Sequence, residues 1–176
     1  EVVTGNDIKK IKILLDNGAN PNIIYGGRSD VLKTKPILVV VAGWYASPKT
    51  IRLLLESGGD VNIQDTYGQT PLIVATSSRV INTVKILLEA GADPTIQDVN
   101  GSTALHRAAK LVDTDILKLL LTYDSVKETI DYTTKNGMTA IMIAASFGRM
   151  DAERVLREAG ADTRGLETVK RPEQKY

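Results

Sequence analysis

The chain has 176 residues, with 22 Lys and Arg against 21 Asp and Glu, one His and no Cys; that length suits one domain or a short array of repeats and is ample for a core. The missing Cys excludes disulfides, thiolate zinc ligands and Cys nucleophiles, and a formal net charge of +1 argues against nucleic-acid binding through a large electrostatic excess. Apolar residues at 43% and charged residues at 24% are the composition of a folded chain, and the longest apolar run, Ile37 to Ala42, is far short of the ~20 residues that span a bilayer. No signal-peptide pattern opens the chain, and a start at Glu1 rather than Met leads us to expect residues upstream.

Taken from the N-terminus, the same segments return. An aliphatic triplet or pair followed by Gly appears as Ile13-Leu14-Leu15 with Gly18, Leu53-Leu54-Leu55 with Gly58, and Ile86-Leu87-Leu88 with Gly91; Leu119-Leu120-Leu121, then Val155-Leu156 with Gly160, continue it. Interleaved with these is Gly-x-Thr-Pro/Ala-Leu/Ile: Gly68 to Leu72, Gly101 to Leu105, and Gly137 to Ile141, at spacings of 33 and 36. The period is 33 with insertions, and a fixed period of this size is the mark of a stacked repeat.

The stretch from Gly68 to Pro94 shows what one period encodes. Thr70 before Pro71 predicts a helix start, because Thr caps well and Pro suits the first helical position. Leu72, Val74 and Ala75 supply a short apolar helix, and Ser77-Ser78 interrupt it. Val80, Ile81, Val84, Leu87 and Leu88 then form one helical stripe. Gly91 stands where a left-handed C-terminal cap is wanted, Asp93-Pro94 turns the chain outward, and Asp98 to Gly101 forms the tip before the next helix. Two short antiparallel helices and a projecting turn cannot bury an apolar face alone, so the units must stack.

These residues resemble the ankyrin repeat, with its G-x-T-P-L-H-x-A-A start and its leucine-rich helix ending in G-A-D. The resemblance implies an all-α repeat fold, an ankyrin-type α-solenoid of helix-turn-helix units with projecting β-turn or hairpin loops. It covers residues 1–163: a partial first repeat at 1–22 with a linker at 23–33, then repeats at 34–66, 67–99, 100–135 and a capping repeat at 136–163, about five units in all. Asn6-Asp7-Ile8 through Asn20-Pro21-Asn22 matches a second helix and turn.

Several positions depart from the pattern. The 40-residue interval between Gly18 and Gly58 adds residues around Ile23 to Lys33, expected as a long projecting loop, and near Trp44 to Pro48. Lys35-Pro36 replaces Thr-Pro. Asp124 stands where Gly is expected, a residue less tolerant of left-handed geometry. Arg157 takes a leucine position, which reads as the polar face of an end cap. Residues 164–176 are polar and carry no helical period, a short extension or linker.

Little here points to catalysis. His106 lies in Thr103-Ala104-Leu105-His106, where the resemblance implies hydrogen bonding from a helix start to an adjoining turn. No second catalytic group accompanies it, no His/Cys cluster suits zinc, and Gly26-Gly27-Arg28-Ser29 lacks the spacing of a phosphate-binding loop. We expect no enzyme, no catalytic residue, no cofactor and no metal. The resemblance implies instead a protein or peptide partner docked in a concave groove lined by turn tips and first helices. Carried over by position, the partner-binding candidates are Thr66, Tyr67, Gln69, Asn100, Ser102, Arg107, Lys110, Lys135, Met138 and Phe147. Ile73 and Met142 face the same way and have packing between repeats as their alternative, as does Phe147. Tyr, Arg, Met and Phe are enriched in interface cores. The accompanying expectations are a cytoplasmic monomer, with the nucleus or a host-cell cytosol as alternatives, no nucleic-acid partner and no membrane insertion. Two other functions stay open: a targeting or substrate-recruiting segment of a larger enzyme, channel or pathogen effector, and a structural, self-associating repeat.

Overall fold

A computed structural model describes residues 5–22, 24–25, 35–43 and 47–172; Trp44 and most of the expected loop at 23–33 lie outside them. The chain divides into two compact units, Glu1–Asp93 and Pro94–Tyr176.

In the first unit, α1 (Gly5–Asp16) precedes a minimal antiparallel pair, β1 (Ile24–Tyr25) and β2 (Lys35–Pro36), with Ile24 opposite Pro36 and Tyr25 opposite Lys35. Then come α2 (Ile37–Gly43), α3 (Pro48–Glu56), α4 (Pro71–Ser77) and α5 (Ile81–Glu89). The packing is that of a repeat: α2 pairs with α3 and α4 with α5, while α2 stacks on α4, α3 on α5 and α1 on α3. Gly43 permits the α2–α4 approach, since a Cβ there would sit 2.5 Å from a Val74 methyl.

The caps explain the sequence period. Thr70 Oγ1 accepts from the Ile73 N–H at 3.2 Å with Pro71 in the first turn, and Thr139 Oγ1 accepts from the Met142 N–H at 3.4 Å. At the far end of α5, Gly91 has φ 86°; its N–H donates to Leu88 O and that of Ala92 to Leu87 O, at 3.0 and 2.9 Å. This paired closure recurs after α1 and α3, at Gly18 and Gly58. Of the leucines that accept in this closure, Leu54 and Leu87 are all but fully buried, while Leu14 on α1 is exposed.

The second unit holds α6 (Ala104–Ala108), α7 (Asp115–Leu120), α8 (Asp124–Glu128), α9 (Ala140–Ser146) and α10 (Met150–Glu158), closed by a 3-10 turn at Leu166–Thr168. Here α6 packs on α7 and on α9, and α9 on α10 and the 3-10 turn. The expectation that Asp124 strains a left-handed cap is corrected. Asp124 opens α8, where a carboxylate suits the N-terminal dipole, and the inserted residues bury Val126. The stretch after residue 164, which has no helical period, folds back: Leu166 is buried, and Arg171 together with Arg157 holds the Glu153 carboxylate at 3.0 and 3.1 Å.

Within each unit, successive repeats are also joined by single side chains. Asn22 accepts from the Asp60 N–H and donates to Gly58 O. Asn62 accepts from the Asp93 N–H, and Asp131 from the Asp162 N–H, both at 2.8 Å.

Candidate functional site

The turn tips are built by acceptors at their base. Asp65 Oδ1 accepts from the N–H groups of Tyr67 and Gln69, both at 2.9 Å. Asp98 Oδ1 does the same for Asn100 and Ser102, at 2.8 and 2.9 Å. In the third tip Thr134 Oγ1 takes the Met138 N–H at 3.2 Å. Each tip closes with a Gly N–H on the carbonyl three residues back: Gly68 to Asp65, Gly101 to Asp98, Gly137 to Thr134. These base residues were not among the expected site residues, although the recurrence of Asp-x-x-Gly at 65–68 and 98–101 marks two of them.

Each buried Asp is also answered by a cation. Lys35 Nζ lies 3.4 Å from Asp65 Oδ2 and 5.7 Å above the Tyr67 ring. Arg107 forms an ion pair with Asp98 Oδ2. Lys35, a departure from the Thr-Pro pattern, thus anchors a turn tip and leaves Tyr67 54% exposed.

Within the second unit, the tips at 100 and 135 and the helices α6 and α9 enclose an open cavity of about 370 Å³. Gly101 permits this arrangement: its φ is 74°, and a Cβ would meet the Lys135 backbone N at 3.0 Å. The Lys135 N–H donates to Asn100 O at 2.9 Å, fixing one tip on the other. Asn100, Ser102, Arg107, Lys110, Lys135, Met138 and Phe147, all expected as partner contacts, line this cavity with Thr134, Asn136, Ile143 and Ser146. Lys110 Nζ sits 5.4 Å from the Phe147 ring centroid, a favourable cation–π geometry. Thr66, Tyr67 and Gln69 belong to the first unit and do not line it. Among the residues with two readings, Phe147 is 48% exposed, Ile73 is buried core, and Met142 is half-buried with its terminal methyl at Gly165.

His106 is 1% exposed and fully engaged. Its Nε2 lies 2.8 Å from Tyr132 O, which can only accept, so Nε2 carries the proton. Nδ1 then accepts from Thr103 N–H and Oγ1, at 3.2 and 2.9 Å. Burial pushes its pKa below the ordinary histidine value, outweighing the Tyr132 bond. The arrangement is a capping box with His in the reciprocal place. Among the described residues no cluster of His, Asp and Glu could hold a metal ion, and no helix is long and apolar enough to cross a membrane.

Paired short helices repeated along the chain, with clamped turns projecting from their ends, define a repeat protein. The profile of ankyrin repeats, in three-copy form, matches residues 2–98 and again 91–165, and the chain belongs to this family. It is also similar to a protein of Acanthamoeba polyphaga mimivirus named for its ankyrin repeats, 30% identical over 137 residues, which are 78% of this chain and 61% of that protein. The chain therefore spans about three-fifths of the relative's length. The fold is the ankyrin-type all-α repeat, and ankyrin repeats are generally protein–protein interaction modules.

Proposed function

We propose that the chain is a non-catalytic recognition module that holds a protein or peptide against its turn tips and the exposed side of its first helices. The observation that carries this reading is the cavity between the tips at 100 and 135, which gathers a half-exposed aromatic ring, a methionine and three cations on a clamped backbone. Aromatic and Arg side chains set in a preformed recess are the usual anchors of an interface. Because Asp98 and Thr134 already fix the tips, docking incurs little ordering cost.

The test compares proteins captured from a source lysate by the wild-type chain with those held by a folded Lys110→Glu/Phe147→Ala variant. A partner retained by the first and lost from the second supports the proposal. Identical capture by both would remove the cavity from consideration. Arg107 is a poor choice for this variant, since Arg107→Glu would set two carboxylates against each other at Asp98.

A second reading, self-association, is favoured by one observation: Ile13 and Leu14 on α1 are 60% and 61% exposed. Sedimentation over a concentration series, for wild type and Ile13→Lys/Leu14→Lys, decides it. A wild-type monomer at every concentration excludes the idea.

A further inference from the structure

We propose that the cavity of the second unit takes an acidic polypeptide segment, with an apolar side chain lying among its carboxylates. This rests on the reading of the cavity as the docking site and names the chemistry of its partner. The chain as a whole is nearly neutral, 22 basic residues against 21 acidic, yet Arg107, Lys110 and Lys135 line the cavity with no carboxylate among its described lining residues. The three cations are not equivalent. Arg107 is already neutralised by Asp98, whose other oxygen holds the tip; it positions the site. Lys110 has only the face of Phe147, and Lys135 makes no ion pair among the described residues. Elsewhere in the same unit Arg154, Arg157, Arg164 and Arg171 each hold a carboxylate. Two uncompensated ammonium groups are therefore left facing a recess.

The rest of the lining selects a polypeptide among anions. Phe147 is 48% exposed and Met138 half-buried, area that phosphate or a sugar-phosphate backbone would leave uncovered and an aliphatic or aromatic side chain would bury. A volume of about 370 Å³ suits a few side chains. A nucleic acid would need a continuous basic track. An acidic segment satisfies both halves: its carboxylates meet Lys110 and Lys135, and its apolar residue sits on Phe147.

Panning a random 12-residue peptide library on the wild-type chain tests this, with the enriched peptides measured by fluorescence anisotropy against Lys110→Glu/Lys135→Glu and Phe147→Ala variants shown by circular dichroism to fold. We expect enrichment in Asp and Glu around an apolar residue, and binding about tenfold weaker or worse to either variant. We also expect weakening with added NaCl, and recovery on the charge-reversed variant when peptide acids are exchanged for Lys. Non-acidic peptides lost from the same variants would overturn the acidic partner and keep the docking site. Peptides held equally by all variants, or no enrichment, would overturn both. Displacement by a 20-nucleotide single-stranded DNA at concentrations below those of the peptide would assign the cavity to nucleic acid and overturn the proposal.

Discussion

His106 has both ring nitrogens committed while neutral, so protonation must break its acceptance from Thr103. Its folded pKa is lowered by burial, so the unfolded state takes up the proton first and stability falls as pH drops. The contribution is complete above the ordinary histidine range, near pH 6.5, and declines toward the lowered folded value. Urea melts between pH 8 and 5.5 should show this slope in wild type and a flatter one in His106→Gln, which can still serve the capping box; equal slopes would assign the pH dependence to other groups. Arg79 carries a strain of a different kind. At φ 61° it alone among the described non-glycine residues is left-handed, in the place that Gly148 takes in the last repeat. Relief of that geometry exceeds the entropy glycine adds to the unfolded chain, so Arg79→Gly should stabilise by about 0.5–1 kcal/mol, read as a shift in the urea midpoint without a change in slope.

At the scale of elements, α5 and α10 occupy the same place in their respective repeats and hold together differently. Leu87 is completely buried on α5, and Leu87→Ala should cost ~2–5 kcal/mol. Arg157, where a leucine would stand, is exposed and shares Glu153 with Arg171. Arg157→Ala should cost under about 1 kcal/mol, since the Arg157 side chain is exposed and Arg171 still holds the Glu153 carboxylate. Similar losses in denaturant melts would mean that α10 is buried by something more than the tail. Periodicity made the helices and caps readable, because Thr70, Pro71 and Gly91 act within a few residues of themselves. It could not show that Leu166 is buried, since a residue with no periodic neighbours gives no face to predict.

Across the molecule, burial is uneven. In the first unit α4 contributes Pro71, Leu72, Ile73, Ala75 and Thr76 to the interior, while α1 shows Ile13 and Leu14 to solvent. Amide exchange should therefore be fastest in α1 and slowest in α4 and α5; uniform protection would require that α1 be covered in solution. The candidate site is legible in the same uneven way. The resemblance to the ankyrin repeat put tips and first helices on one side, so seven cavity residues could be named by position. Which candidates are available was not legible: Ile73 on α4 is sealed, while Phe147 at the end of α9 is half open. The Lys110–Phe147 contact joins residues of different repeats within the second unit, and the ion pairs of Asp65 and Asp98 depend on where Lys35 and Arg107 extend. Those are properties of stacking, which no single repeat contains.

The side chains of Asn22, Asn62 and Asp131 reach forward to a backbone N–H or carbonyl in the loop of the following repeat. At these three joints one repeat supplies the acceptor and its successor the donor, so an in-frame duplication of such a repeat arrives with both fittings in place. Such a gene can lengthen or shorten by whole units without redesigning any interior, and selection is left to act on the tips, where one copy can keep an old ligand while another acquires a new one.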